Sequence, residues 1–222
     1  MFILNDMPSQ LPSDQLEKLK QVETATVGHF RHAGFLDPAL RAVLPDTRAA
    51  GTAVTLRIAG ADSTLLHHVM GMVRPGDFLI IDRAGDTRHA CWGGVITHTA
   101  ASLGLAGAAI DGMATDMGEI RGHRMPVWCR GPSPITTKLL ALGGDLNVPV
   151  SCGGVAVEPG DAVLADESGV LILKPHEIDL VADRALDMQA RELTLLQRID
   201  SGERLPEITG ASKKIAAGME GI

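Results

Sequence analysis

The sequence predicts a single α/β domain with an N-terminal helical segment and a long C-terminal helix. Three observations carry this. Between residues 51 and 129, short apolar runs alternate with stretches of helical length, the pattern of strands joined by crossover helices. Four short strand-like segments joined by tight turns follow, ending at Leu173. A helical stretch then runs from about Pro175 to about Ser201, with Pro at its first turn.

In chain order, Ser13 is a plausible N-cap for a helix carrying Leu16, Leu19 and Val22. Gly51 to Leu56 reads as a strand and Ser63 to Met70 as a short helix. Pro75-Gly76-Asp77 is a turn, and Phe78 to Ile81 is a strand buried on both faces by its unbroken apolar character. Ala90 to Leu103 has helical length, Ala106 to Ile110 is a strand, Met113 to Gly122 a short helix and Pro126 to Cys129 a strand. The later strands are Val148–Val150, Gly154–Val157, Ala162–Ala165 and Gly169–Leu173. The tail from Gly202 carries Gly and charge and is expected to be mobile or to pack on a neighbour. Residues 75–85 and 159–169 share one frame of turn, four-residue strand, strand-end Asp and later Gly. Repeated turn chemistry accounts for this more simply than an internal pseudo-symmetry. No composition break marks a linker, so residues 1–222 read as one domain.

The 222 residues suffice for one good core. Aromatics are only 3% with no tyrosine, so that core is built from Ala, Val, Leu, Ile and Met. A net charge of −7 argues against nucleic-acid binding, which needs a basic surface, and leaves room for a bound cation. No apolar run approaches the roughly 18–20 residues of a membrane span, and residues 1–12 lack the basic and apolar regions of a signal peptide. Cys91, Cys129 and Cys152 show no paired spacing and read as free thiols in a reducing, cytoplasmic compartment.

The chemistry concentrates between Asp82 and Arg130. Gly93-Gly94 opens a helix, and unpaired N–H groups at a helix start form a ready site for a carboxylate or phosphate. Asp82 and Asp116 each fall just beyond a strand end, where open sheets place ligands. Two roles stand open for Asp116: a ligand for a hydrated divalent ion, or the cap of the short helix beside it. Cys91 lies near His89 and His98, where small-residue packing explains it better than a nucleophile. His29, His32, His67 and His68 lack a partner set for zinc.

Several motifs occur in an order that resembles the RraA-like family. They are Gly76-Asp77 with Asp82, Trp92-Gly93-Gly94, Gly107 with Ile110-Asp111-Gly112, Thr115-Asp116, Pro126-Val127 with Arg130-Gly131, Val148-Pro149-Val150, Gly153-Gly154-Val155 and Pro159-Gly160-Asp161. The match covers about residues 48–175, leaving a C-terminal helix and tail over about 175–222. The resemblance implies a swivelling β/β/α domain and a homotrimer or hexamer. It also implies a divalent-metal-dependent carbon–carbon lyase of the pyruvate-aldolase type, a 4-hydroxy-4-methyl-2-oxoglutarate aldolase or oxaloacetate decarboxylase acting on a small 2-oxo or hydroxy acid. The family also contains the regulator of ribonuclease E activity, so a non-catalytic, protein-binding role is the alternative.

Carried over residue by residue, Gly93, Gly94, Val95 and Ile96 form the substrate cradle. Asp116 becomes the ligand of Mg²⁺ or Mn²⁺ and the catalytic residue. Two departures stand out. The family's carboxylate-gripping Arg is Thr115 here, and an acidic residue expected near Gly94 is missing. Thr115 offers a neutral hydrogen bond but no charged fork. Arg88, Arg121 and Arg130 are the candidates to replace the lost grip.

Overall fold

A computed structural model describes residues 1–219 of the chain. The strands are β1 (Phe2–Leu4), β2 (Arg41–Ala42), β3 (Arg48–Arg57), β4 (Asp77–Asp82), β5 (Ala90–Trp92), β6 (Gly107–Ala114), β7 (Val127–Pro132), β8 (Gly144–Leu146), β9 (Val150–Cys152), β10 (Val155–Val157), β11 (Ala162–Asp166) and β12 (Gly169–Leu173). The helices are α1 (Ser13–Leu19), α2 (Thr24–Gly28), α3 (Thr64–Val69), α4 (Gly94–Ser102), α5 (Met117–Gly122), α6 (Ile178–Asp200), α7 (Leu205–Thr209) and α8 (Ala211–Met219).

Strands β3, β4, β6 and β7 run parallel and side by side. β3 is long enough to serve two neighbours on its other edge: β11 antiparallel at its start and β8 antiparallel at its end. The parallel strands bury both faces. Leu79 and Ile81 of β4 point toward α3, α4 and α5, packing with Leu66, Val69, Ile96 and Ile120. Phe78 and Ile80 point the other way, into a core with Trp128, Val150, Val163 and Ile172. That two-sided burial is why this strand reads as an unbroken apolar run. A third core joins the outer face of β11–β12 to α1, α2 and the start of α6. Within α6, Ile178, Val181, Ala182 and Ala185 are buried at helical spacing, and no later residue of that helix is.

Several expectations are corrected. Ser13 is the first helical residue rather than a side-chain cap; Pro12 holds the cap position. Ala90–Trp92 is a strand, because it pairs with β6, and the helix starts only at Gly94. β6 runs on to Ala114, so Met113 is strand and the next helix begins at Met117. The tail beyond Gly202 forms α7 and α8, helices the sequence did not mark there, and its expected packing on a neighbour is untouched by this. β1, β2 and β8, each of two or three residues, carry no sequence signal of their own. The repeated frame is turn chemistry. Asp77 accepts from the Arg74 N–H at 2.8 Å and Asp161 from the Glu158 N–H at 2.9 Å. At the strand exits, Asp82 accepts from the Ala84 N–H and Asp166 from the Ser168 N–H.

The segment after β7 is held against the site by Asp62 and β5. Buried Asp62 accepts the N–H groups of Thr64, Leu140 and Leu142 and the Thr64 hydroxyl. Burial pushes its carboxyl up, but these donors outweigh burial and hold it well below the usual carboxylate range. Ala90 bonds both ways to residues 135 and 137. No helix among the described residues is long and apolar enough to cross a membrane.

Candidate active site

The exits of β5 and β6 are tied together by one main-chain bond, Thr115 N–H to Trp92 carbonyl, 2.8 Å. This brings Gly93-Gly94 beside Thr115-Asp116. Trp92 is fully buried, and its indole N–H donates to Thr97 Oγ1 at 2.9 Å, fixing the turn onto the first turn of α4. Gly93 is extended, with φ −146° and ψ −164°. A Cβ there would lie 2.9 Å from both Asp116 Oδ2 and Thr115 Cγ2. A side chain there would displace the Asp116 carboxylate and the Thr115 methyl, so contact rather than dihedral favours glycine.

Asp116 occupies the cap position of α5 in a left-handed conformation, φ 53°, yet its side chain makes no capping bond to its own helix. It reaches across instead: Oδ2 accepts the Gly94 N–H at 2.8 Å. A short polar side chain tolerates this backbone conformation, and the reach puts a carboxylate on the rim of the α4 start. The other oxygen, Oδ1, lies 3.4 Å from the Thr115 hydroxyl. The Gly94 amide is thus already engaged, and the amides of Val95 and Ile96 in the same first turn have no helical acceptor. Val95 is 74% exposed, so the cradle opens to solvent.

A residue that motif reading missed lies here too. Glu119, one turn into α5, places its Cγ 3.3 Å from where a Cβ on Gly94 would sit. The spacing Asp116/Glu119, one helical turn apart, is the sequence signal that could have found it. Among the described residues, no three His, Cys, Asp or Glu side chains converge as a metal cage. The donor set fits one kind of cation only: a largely hydrated one held by one carboxylate, as Mg²⁺ accepts.

The candidate replacement cations separate clearly. Arg130 is committed, bonding Asp111 at 2.5 Å and Asp37 at 2.9 Å. Arg121 lines a cavity with Arg124 toward the other end of α5. Arg88 makes no side-chain ion pair among the described residues, and its carbonyl accepts the Ser133 hydroxyl. Asp82, at the end of β4, and Asp111, within β6, are structural. Asp82 pairs with Arg57 at 3.1 Å, and Asp111 also accepts the Gly153 N–H at 2.8 Å, pinning the β9–β10 hairpin over the sheet. Cys91 is buried and its thiol is pushed up to about 11 by burial, so it offers no thiolate near neutrality.

A mixed sheet with exposed amides and a carboxylate at the exits of its parallel strands defines an α/β protein with a candidate site of the strand-end type. The chain belongs to the RraA-like family: the family model described as Aldolase/RraA matches residues 14–172. A Halalkalibacterium halodurans protein named "Putative 4-hydroxy-4-methyl-2-oxoglutarate aldolase" is 33% identical over 143 residues, 64% of this chain and 68% of that protein. Among solved structures, Streptomyces coelicolor RraAS2, described as an unusual member of the RNase ES inhibitor RraA protein family, superposes with a TM-score of 0.74 at 25% identity, covering 87% of this chain and all of that one. The RNA-processing inhibitor RraA from Thermus gives 0.61 at 28% identity, covering 68% of this chain and 91% of that one.

Proposed function

We propose that the chain is a divalent-metal-dependent carbon–carbon lyase of the pyruvate-aldolase type, acting on a small 2-oxo or hydroxy acid. The observation that carries this reading is the Asp116 carboxylate seated on the cradle, 2.8 Å from the Gly94 amide. An anionic substrate entering beside it meets like charge. Asp116, by holding a cation, would offset that repulsion and leave the cradle open to the acid. Asp116 would hold Mg²⁺ or Mn²⁺, with Glu119 the next carboxylate on the same rim. The ion supplies Lewis-acid stabilisation of charge developing on the substrate's keto oxygen. The free amides of Val95 and Ile96 orient the substrate carboxylate. Thr115 contributes one neutral hydrogen bond where the aldolases place an Arg.

A thermal-shift screen tests the pairing of metal and acid. Mg²⁺ or Mn²⁺ together with oxalate, pyruvate or oxaloacetate is expected to raise Tm by several degrees. A ligand at a hundred times its Kd adds about 2.7 kcal/mol, and about 1 kcal/mol moves Tm by roughly 2–4 °C in a chain of this size. The uncharged Thr115 favours a second reading, a non-catalytic regulatory member. That reading gains if no metal and acid pair shifts Tm and no carbon–carbon cleavage is measurable.

The assembly belongs to the same proposal. Leu193, Leu196 and Ile199 on the outer half of α6 are exposed, which suits burial against a neighbouring copy. Light scattering is expected to give three or six times the 23.4 kDa chain mass; a mass of one chain at micromolar concentration would end the trimer.

A further inference from the structure

Away from the cradle, a cavity of about 340 Å³ lies between residues 44–47 and the end of α5, lined by Leu44, Pro45, Asp46, Thr47, Arg121 and Arg124. We propose that this cavity is a binding site for a small oxyanion, a phosphate or carboxylate group carried by a metabolite-sized molecule. It rests on different residues from the lyase reading and stands or falls separately.

The first support is charge. The Lys and Arg side chains lining three other cavities have acidic partners. Arg48 pairs with Glu23, Lys20 with Glu17, Lys174 with Glu158 and Asp161, and Arg57 with Asp82. Arg121 and Arg124 have none within salt-bridge distance among the described residues, except that Arg124 and Arg121 share the cavity with Asp46, which lies outside that distance of both. Two like charges lining one cavity repel, and a chain of net charge −7 has carboxylates to spare for them. The cavity nonetheless keeps both free. An oxyanion bridging the two guanidinium groups relieves the repulsion through charge-assisted bonds.

The second support is backbone. α5 ends in a Schellman motif: the Met125 N–H bonds the Ile120 carbonyl at 3.2 Å and the Arg124 N–H bonds the Arg121 carbonyl at 3.0 Å. That motif puts its key residue in the left-handed region, where glycine is preferred. Arg124 holds the position at φ 51°, and Asp46 on the facing wall is left-handed too, at φ 50°. A long charged side chain kept where glycine is easier points to a use for the side chain. Thr47 is nearly buried and makes no side-chain hydrogen bond among the described residues, leaving its hydroxyl free to donate to the anion. Asp46 suits a hydroxyl or ammonium group on the same ligand.

Calorimetric titration of the full chain with inorganic phosphate and with malonate, at constant ionic strength set by chloride, decides the matter. Saturable binding of one anion per chain is expected, and whichever probe binds more tightly identifies the phosphate or the carboxylate form. Arg121→Gln and Arg124→Gly should each weaken it at least tenfold, while Arg191→Gln, the loss of an exposed cation on α6, leaves it unchanged. Arg124→Gly relieves the left-handed strain, so it should also raise the ligand-free Tm by about 2–4 °C; this excludes misfolding as the cause of lost binding. Absence of saturable binding by both probes overturns the proposal. So does binding that survives both arginine substitutions, or binding that Arg191→Gln removes equally.

Discussion

Asp116→Asn is expected to abolish Mg²⁺- or Mn²⁺-dependent turnover while leaving the fold intact. The aspartate side chain makes one firm bond, to the Gly94 N–H, and is exposed. Asparagine tolerates the left-handed backbone that Asp116 adopts, and its side-chain carbonyl can accept the same N–H. What it cannot supply is charge. A loss on the order of 10²–10³-fold is expected, the scale seen when one electrostatic contact to a reacting centre is removed. Asp116→Ala should lose at least as much turnover, but it adds about 1 kcal/mol of backbone strain. The asparagine variant is therefore the cleaner probe. The measurement is initial rate against metal concentration, with Tm recorded on the same samples. Full turnover in Asp116→Asn at an unchanged metal requirement would mean that the carboxylate charge is not used and the metal binds elsewhere.

The sequence carries some of this site and hides the rest for identifiable reasons. β4 is legible because a strand buried on both faces leaves an apolar run between a Pro-Gly-Asp turn and an Asp. Residues 90–92 are not, because Ala-Cys-Trp has no period of its own; pairing with β6 and with residues 135–137 makes it a strand. The same lateral pairing extends β6 through Met113 into what reads as helix. The glycine pair and Thr115-Asp116 are visible as motifs, and they do meet. The choice between capping and reaching across is not visible, since it depends on a positive φ at Asp116 and on the 2.8 Å approach of Gly94. Arg88, Arg121 and Arg130 look alike in sequence. Only the fold shows that Arg130 is bound to two carboxylates and that Arg121 faces a different cavity.

Thr115→Arg is expected to raise kcat/KM for oxaloacetate decarboxylation or pyruvate-aldol cleavage by about ten- to a hundredfold. A charged, bidentate Arg–carboxylate contact is worth roughly 1.5–3 kcal/mol, and each ~1.4 kcal/mol is tenfold. The position can deliver it. Thr115 is partly exposed, its Cγ2 faces Gly93, and its N–H is anchored to the Trp92 carbonyl. A longer side chain there starts beside the amides of α4 and extends into solvent rather than into the core. The gain should appear mainly as a lower KM if the new guanidinium grips the carboxylate equally in ground and transition states, and in kcat if its grip tightens during reaction. The Asp116→Asn substitution on top of Thr115→Arg should remove the gain, since the cation would still need its carboxylate. If the natural chain already cleaves such acids at rates typical of enzymes and Thr115→Arg adds nothing, the missing grip is not missing. Arg88, whose side chain has no ion-pair partner among the described residues, then becomes the residue to remove, and Arg88→Ala should raise KM by the same ten- to hundredfold.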